Sequence, residues 1–447
     1  MKINLKIENL DTSFLNKYFL ASLIIYGLIY IIITPPLYVT DEYFHFQKAA
    51  SKENFYFSEK LSISEDLDKF INQEKYSWYF LSEEKNYKYI DNFSTDFKQN
   101  FSWDNKNLVS AKLGNLKGYP VSGYIFSKVG INLSKIFTNN IFISYYFGKI
   151  FSFLLLMFLI FYLIKKIKNN QFLYYIILSL PMTLSLMSSY NQDSMLILYT
   201  ITIIYIFSSL LDSNKFDKKK LFFLIIFIFL LSIGRPIYIS FILLSFYFLN
   251  FEKVFSNKNY FIISIVFLIF LLFCLFIYNY PIPNKIDGQL NYIINNPLYF
   301  LKVIYTDIKI HTFTYYVQFI GVLGHINIQL HKSIYIFVTA VFILISFFMF
   351  LSLKKIKIFK LILIVIISVI SSYILLCISQ YLYFTSFKNI FIQGIAGRYF
   401  IPMVLISFLI FPKIKQKYNN NNLFKFLLLL FPHINFLSVI SAYNFFY

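Results

Sequence analysis

Asp41 and Glu42 stand side by side in the string Thr34-Pro35-Pro36-Leu37-Tyr38-Val39-Thr40-Asp41-Glu42-Tyr43-Phe44-His45, at the exit of the first long apolar run. A polar segment, residues 39–140, begins there. An acidic pair held at a membrane surface suits a catalytic carboxylate that meets a lipid-borne substrate, since a positioned Asp or Glu can take a proton from an attacking hydroxyl. The Pro-Pro step ends the membrane helix at a defined place. Asp41 and His45 share a face if the following segment is helical. Asp41 and Glu42 are therefore the candidate catalytic residues, and His45 a candidate for substrate binding. The plain alternative is a solvated start to a loop.

Arginine occurs only at positions 235 and 398, in Gly234-Arg235-Pro236 and Gly397-Arg398-Tyr399-Phe400, against thirty-nine lysines. A chain that writes lysine wherever a positive charge suffices keeps arginine for its planar, always-charged fork, which grips phosphate or carboxylate at two points. Arg235 and Arg398, with Tyr399 beside the latter, are candidates for binding an anion; the alternative is a structural carboxylate partner. Asp193, in Ser188-Ser189-Tyr190-Asn191-Gln192-Asp193-Ser194, is either the N-cap of the next helix or a second acid facing the same cavity as Asp41. In the second role it holds an acceptor hydroxyl or, with Asp41, a metal ion. His325 is a weaker substrate-binding candidate and His311 weaker still, because histidines among aromatics are commonly hydrogen-bonded structural groups.

These residues need a scaffold, and composition names it. The chain is 58% hydrophobic and 14% charged with a mean hydropathy of +0.62, too apolar for a soluble domain. Apolar runs of spanning length recur, so the expected fold is an all-α polytopic membrane protein. The spans read as 17–38, 141–164, 172–189, 194–211, 221–233, 237–249, 260–279, 333–353, 359–379, 398–412 and 423–441, eleven in a single domain of 1–447. The first is a signal anchor rather than a cleaved leader. Residues 221–249 as one helix would be about 43 Å long, beyond a hydrocarbon core of about 30 Å. They would also put later lysine strings on the wrong side. A hairpin broken at Gly234-Arg235-Pro236 keeps Lys165-Lys166, Lys218-Lys219-Lys220, Lys354-Lys355 and Lys413/Lys415/Lys417 all cytoplasmic. The N-terminus is then inside, and segments 39–140 and 280–332 lie outside, with Asp41, Asp193 and both arginines toward that side. Residues 119–137 are only moderately apolar and read as an interfacial helix. The segment 280–332 contains an aromatic helical stretch.

The net charge of +20 is spread through loops beside anionic lipid, which argues against a nucleic-acid partner. Residues 39–140 hold thirteen acids and thirteen lysines, so their charges cancel. Cys274 and Cys377 both fall in apolar helices, giving no disulfide framework and no thiolate metal site. There is no Walker loop, HExxH or nucleophile elbow. Paired interrupted helices, the mark of a transporter, are absent, and the asymmetry favours an enzyme.

The layout resembles the GT-C superfamily of integral-membrane glycosyltransferases and, more closely, the bacterial family labelled domain of unknown function 2142. The matching stretches are Pro35-Pro36 through His45, Asn295-Asn296-Pro297-Leu298-Tyr299-Phe300-Leu301-Lys302, Phe319-Ile320-Gly321-Val322-Leu323-Gly324-His325 and Gly394-Ile395-Ala396-Gly397-Arg398-Tyr399-Phe400-Ile401-Pro402. His325 stands where the family pattern has tryptophan, and Thr40 where it tends to have proline. The resemblance implies a polyprenyl-phosphate sugar donor, an extracytoplasmic glycan or other acceptor, and a bacterial inner-membrane location. It implies Asp41 as general base with Glu42 second, and no certain cofactor beyond a divalent metal at most. A flippase of lipid-linked sugars and a polysaccharide polymerase or ligase are the alternatives.

Overall fold

The computed structural model describes residues 12–51, 60–83, 101–105, 107–112, 119–167, 170–213, 217–248, 257–278, 286–352, 359–411 and 427–447. Proline and capping residues set many of the boundaries. Helix α1 (Thr12–Ile33) stops short of residue 38, because Pro35-Pro36 offers no N–H to continue the ladder. The chain turns through Leu37, φ 61°, into α2 (Glu42–Ala50). Strands β1 (Lys60–Ser64) and β2 (Leu108–Lys112) pair antiparallel, Lys60 opposite Lys112 and Ser64 opposite Leu108. Helix α3 (Glu65–Glu83) lies between them in sequence. A 3-10 turn, Val121–Tyr124, leads into α4 (Ile125–Ser134). Helix α5 (Ile141–Lys166) begins where the Asn140 side chain accepts from Ile143 N at 3.1 Å, an N-cap that satisfies a free helical donor.

The expected span 172–189 is two helices, α6 (Gln171–Leu178) and α7 (Pro181–Met187). Pro181 holds Leu180 extended at φ −63°, ψ 136°, because proline disfavours helical backbone in the residue before it. Helix α8 (Asp193–Asp212) follows. Helix α9 (Lys218–Gly234) is capped by Asp217, which accepts from Lys219 N and Lys220 N at 3.0 and 3.1 Å. It ends at extended Arg235, and a 3-10 run, Pro236–Phe248, packs back on it. The Gly-Arg-Pro break thus falls where the sequence predicts. Then come α10 (Asn257–Tyr278), α11 (Ile286–Asn295) and α12 (Pro297–Gly321). The small hairpin β3 (Val322–Leu323) and β4 (Ile328–Gln329) precedes α13 (Lys332–Ser352) and α14 (Phe359–Tyr383). A 3-10 turn, Gly397–Tyr399, opens α15 (Phe400–Ser407), and α16 (Ile434–Phe446) closes the chain.

Among the described residues, five stretches are long and apolar enough to cross a membrane: Asn16–Ile33, Ile141–Lys166, Asp193–Asp212, Phe359–Tyr383 and Leu427–Phe446. The protein is an essentially all-helical multi-pass membrane protein. The two short sheets among the described residues are additions that apolar periodicity does not disclose. The lysine strings at 354–357 and 413–417 and the side chain of Cys274 lie outside the described residues; Cys377 is a buried free thiol.

Two cores form. The large one joins the apolar helices, with Leu23, Phe153, Ile177, Ile204, Ile228 and Leu405 fully buried in it. The second lies under the 39–140 segment. There Leu37, Phe46, Phe70 and Ile131 pack on Phe142, Tyr145 and Tyr190, so the described part of that segment is seated on the start of α5. Helix α4 buries Gly130, Ile131 and Ser134 and exposes Ile125, Val129 and Leu133. That four-residue spacing is an apolar stripe.

Candidate active site

Asp41 and Glu42, neighbours in sequence, point to different surroundings. Asp41 precedes α2 with φ 63°, ψ 6°, a left-handed backbone that Asp tolerates better than most residues, and its side chain caps nothing. Its carboxylate is 40% exposed and its Oδ2 lies 3.4 Å from Arg398 Nη2. Glu42 is sealed: its side chain is 0% exposed, with Oε1 3.1 Å from Lys149 Nζ. Tyr190 N also donates to Oε1, at 3.1 Å, and Val39 N to Oε2, at 3.3 Å. Asp41 keeps an exposed face, whereas Glu42 is enclosed by protein partners.

Asp193 brings the two arginines together. It is the first residue of α8, one past the N-cap position, which Gln192 occupies. Its carboxylate accepts Arg235 Nε at 2.8 Å and Arg235 Nη2 at 2.9 Å. This is the two-point fork geometry that distinguishes Arg from Lys. Arg398 Nε lies 3.5 Å from Asp193 Oδ2 without a hydrogen bond to any described residue. The Tyr399 ring is shared, with the Arg235 guanidinium carbon 4.2 Å and that of Arg398 5.6 Å from its centroid. Cation–π contact of this kind favours guanidinium over ammonium.

Local backbone explains why Arg398 is held so firmly. Gly397 N donates to Gln318 Oε1 at 3.0 Å. A Cβ on Gly397 would stand 2.3 Å from Phe319 N, so only glycine lets this turn lie on α12. Tyr238 OH donates to Tyr399 O at 2.9 Å from the other side. Thr40, just ahead of Asp41, is tied by its Oγ1 to Gly324 O at 3.0 Å. Gln192 Nε2 donates to Gly234 O at 3.0 Å, fixing the approach to Arg235.

Helix α2 and the described residues 119–124 close one wall. His45 Nδ1 lies 2.6 Å from Tyr124 OH, and its ring stacks on Tyr119 at 6.2 Å and 8°. Burial first, then the charges of Arg398, Arg235 and Lys48, hold the imidazole well below its ordinary value. His45 is therefore neutral at neutral pH. Tyr119 lies in electrostatic reach of Arg235, Tyr399, Asp193 and Arg398, and burial raises its hydroxyl to about 12. Lys48 Nζ donates to Tyr119 O, and burial pushes that ammonium down to about 7. His325 packs edge-on against Tyr38 at 5.8 Å, and burial holds its ring below its ordinary value against the charges of Asp41 and Glu42. His311 sits apart, between Tyr315 and Phe391.

An apolar cavity of about 580 Å³ opens at Phe400, two residues after Arg398. Phe400 and Val404 of α15, Tyr315 and Phe319 of α12, Phe342 of α13 and Tyr373 of α14 line it. Its size is that of sites that enclose small organic ligands. A separate, narrower crevice is lined by Thr40, Ser185, Gln318, Gly324 and Arg398. Gly397 and Arg398 thus line the crevice, and Phe400 and Val404, just after them, line the apolar chamber.

A divalent metal on Asp41 and Asp193 fits this arrangement poorly. Both Asp193 oxygens are taken by Arg235, and a second guanidinium stands beside each carboxylate. Among the described residues no three His, Cys, Asp or Glu side chains converge on a metal-sized site. The structure gathers Asp41, His45, Asp193, Arg235, Arg398, Tyr399 and His325 in one neighbourhood and turns Glu42 away. Sequence reading passed over Tyr119, Lys48, Tyr190 and Lys149. Lys149 carried a usable signal, because a lone charge within an apolar span marks a functional or paired site.

Residues 24–407 match the family described as "Predicted membrane protein (DUF2142)". Neither a curated protein nor a solved structure matches the chain.

Proposed function

The chain belongs to the DUF2142 family of predicted membrane proteins, and from that premise we propose that it is a bacterial inner-membrane glycosyltransferase. It moves a sugar from a polyprenyl-phosphate donor to a cell-envelope glycan or other extracytoplasmic acceptor. On this reading the membrane is crossed eleven times from a cytoplasmic N-terminus, α4 lies in the interface, and the carboxylate–arginine cluster faces outward.

The observation that supports this most is Arg398. Its guanidinium is nine-tenths buried, meets Asp41 and Asp193 only at 3.4 and 3.5 Å, leaves Nε without a hydrogen bond to described residues, and stands two residues before Phe400, which lines the apolar chamber. A buried cation with spare donors suits an anionic head, and the chamber suits the first part of a hydrocarbon tail. A lipid phosphate joins the two.

The chemistry follows from the neighbours. An acceptor hydroxyl attacks the anomeric carbon, and its oxygen forms the new glycosidic bond while the proton passes to Asp41. The bond from the anomeric carbon to the phosphate oxygen breaks, and the lipid phosphate leaves with the electron pair. Arg398 offsets the charge that grows on that oxygen, as fixed donors do in a water-poor site. Arg235, already neutralised by Asp193, keeps the Tyr399 ring and Arg398 in register. Neutral His45 and Tyr119 form a wall against which a sugar ring can lie. No step requires a metal.

The test is to reconstitute the protein in vesicles with polyprenyl-phosphate hexoses and pentoses labelled in the sugar, and to supply candidate glycan acceptors. A new glycosidic bond, or sugar released to water when no acceptor is given, supports the proposal. Labelled lipid that crosses the bilayer with its sugar still attached identifies a flippase and overturns it.

A further inference from the structure

We infer that Glu42 is a positioning residue, one buried carboxylate that ties the backbone ahead of Asp41 to the backbone ahead of Asp193. The inference rests on the reading of Asp41 as the base. Val39, whose N–H donates to Oε2 at 3.3 Å, is two residues before Asp41. Tyr190, whose N–H donates to Oε1 at 3.1 Å, is three residues before Asp193. The same carboxylate therefore holds both acid-bearing segments, though they are far apart in sequence.

The anchor for this tie is α5. Lys149 Nζ lies 3.1 Å from Glu42 Oε1 and donates to Tyr145 OH at 3.2 Å. Tyr145 OH accepts Leu37 N at 2.9 Å, and Tyr190 OH donates to Tyr145 O at 2.8 Å. Both segments are thus referenced to a single helix. The Lys149 and Glu42 side chains are 1% and 0% exposed. Burying such a pair costs free energy that an apolar pair would not, so its value here lies in directional bonds. An apolar contact could not fix two amides at once, nor hold Asp41 in its left-handed conformation beside them.

The experiment uses the full chain in detergent or vesicles and the double variant Glu42→Gln/Lys149→Met, which removes the charge pair without leaving a lone buried charge. A single amide cannot accept from both Val39 and Tyr190 on its two faces, so one anchor is lost. Hydrogen exchange of peptides covering 37–43 and 188–194 should rise together by about tenfold, while the helices stay protected. Release of labelled sugar from the polyprenyl-phosphate hexose should fall in kcat by about 100-fold, because small misplacements of a base cost that much. KM for the donor should stay within about threefold, since uniform binding is untouched. Lys149→Arg alone should recover most of the protection in both peptides.

If sugar release is unchanged while Asp41→Asn is inactive, Glu42 does not position the base. If kcat, KM and the melting temperature collapse together, its role is merely structural; either result overturns the inference. If Asp41→Asn stays active, the reading of Asp41 fails by itself. The exchange of the two peptides then still decides whether Glu42 ties both segments, and independent exchange overturns it.

Discussion

Asp193 grips Arg235 through both carboxylate oxygens, at 2.8 and 2.9 Å, and meets Arg398 only edgewise at 3.5 Å. The two arginines therefore do different work. Arg235 is committed to a buried ion pair, so Arg235→Lys strips half the fork and should cost stability, up to about 3–5 kcal/mol as the pair is broken. Arg398→Lys should melt within a few degrees of the wild type yet bind decaprenyl phosphate at least about tenfold more weakly, because a point charge replaces a planar fork. Thermal melts and lipid-phosphate titrations on the two variants check this. Equal melting losses would remove the distinction.

The Lys48 grip on Tyr119 O should appear in the pH dependence of stability. Lys48 falls from an ordinary 10.5 to about 7 in the folded protein through burial. Between those values the unfolded chain binds the extra proton, so stability should rise with pH across that window and be lower below it. Lys48→Met should remove that rise. His45 has a lowered folded value and an ordinary value of 6.5. It therefore contributes stability above about 6.5 that is lost as the pH falls further. His45→Gln should flatten the acid limb. Melting temperatures over pH 5 to 10 separate the two effects.

Gly397 is a contact that tolerates nothing larger. A Cβ there would meet Phe319 N at 2.3 Å and both Gln318 C and Tyr315 O at 2.6 Å, all of them backbone. Gly397→Ala should push the Arg398 turn off α12, at about 1–3 kcal/mol for overpacking, and weaken decaprenyl phosphate binding along with stability. An alanine variant with wild-type melting and binding would show that the close approach is unimportant.

The chamber of about 580 Å³ predicts sensitivity to chain length. Val404→Trp fills part of it, and should raise KM for a decaprenyl-phosphate hexose several-fold. A donor whose chain is too short to reach the chamber should be affected far less. Equal effects on both donors would place the tail elsewhere.

Much of this arrangement was legible in the residues and some of it could not be. The two arginines stood out because lysine serves everywhere else, and Asp193 because it lay in a turn between apolar runs. The Gly234-Arg235-Pro236 break followed from the excess length of 221–249 as one helix and from the side on which it would put the later lysine strings. The division between Asp41 and Glu42 was not legible: it depends on a left-handed backbone at Asp41 and on Lys149, one lysine among thirty-nine. Tyr119 was hidden because its partners come from α8, from the break after α9 and from the Gly397–Tyr399 turn. Nothing local specifies that meeting. The break at Pro181 was available from proline's bias against helical backbone in the residue before it, but the apolar run on both sides masked it.

Asp41 as the base is tested most directly by sugar release and donor binding measured on one preparation. Purified wild-type protein and Asp41→Asn are each given a polyprenyl-phosphate hexose labelled in the sugar, with bound donor and released sugar counted in the same samples. The account predicts that Asp41→Asn binds donor about as well as the wild type and releases sugar at least about 1,000-fold more slowly, within the range reported for positioned bases. Release at the wild-type rate from Asp41→Asn would contradict it.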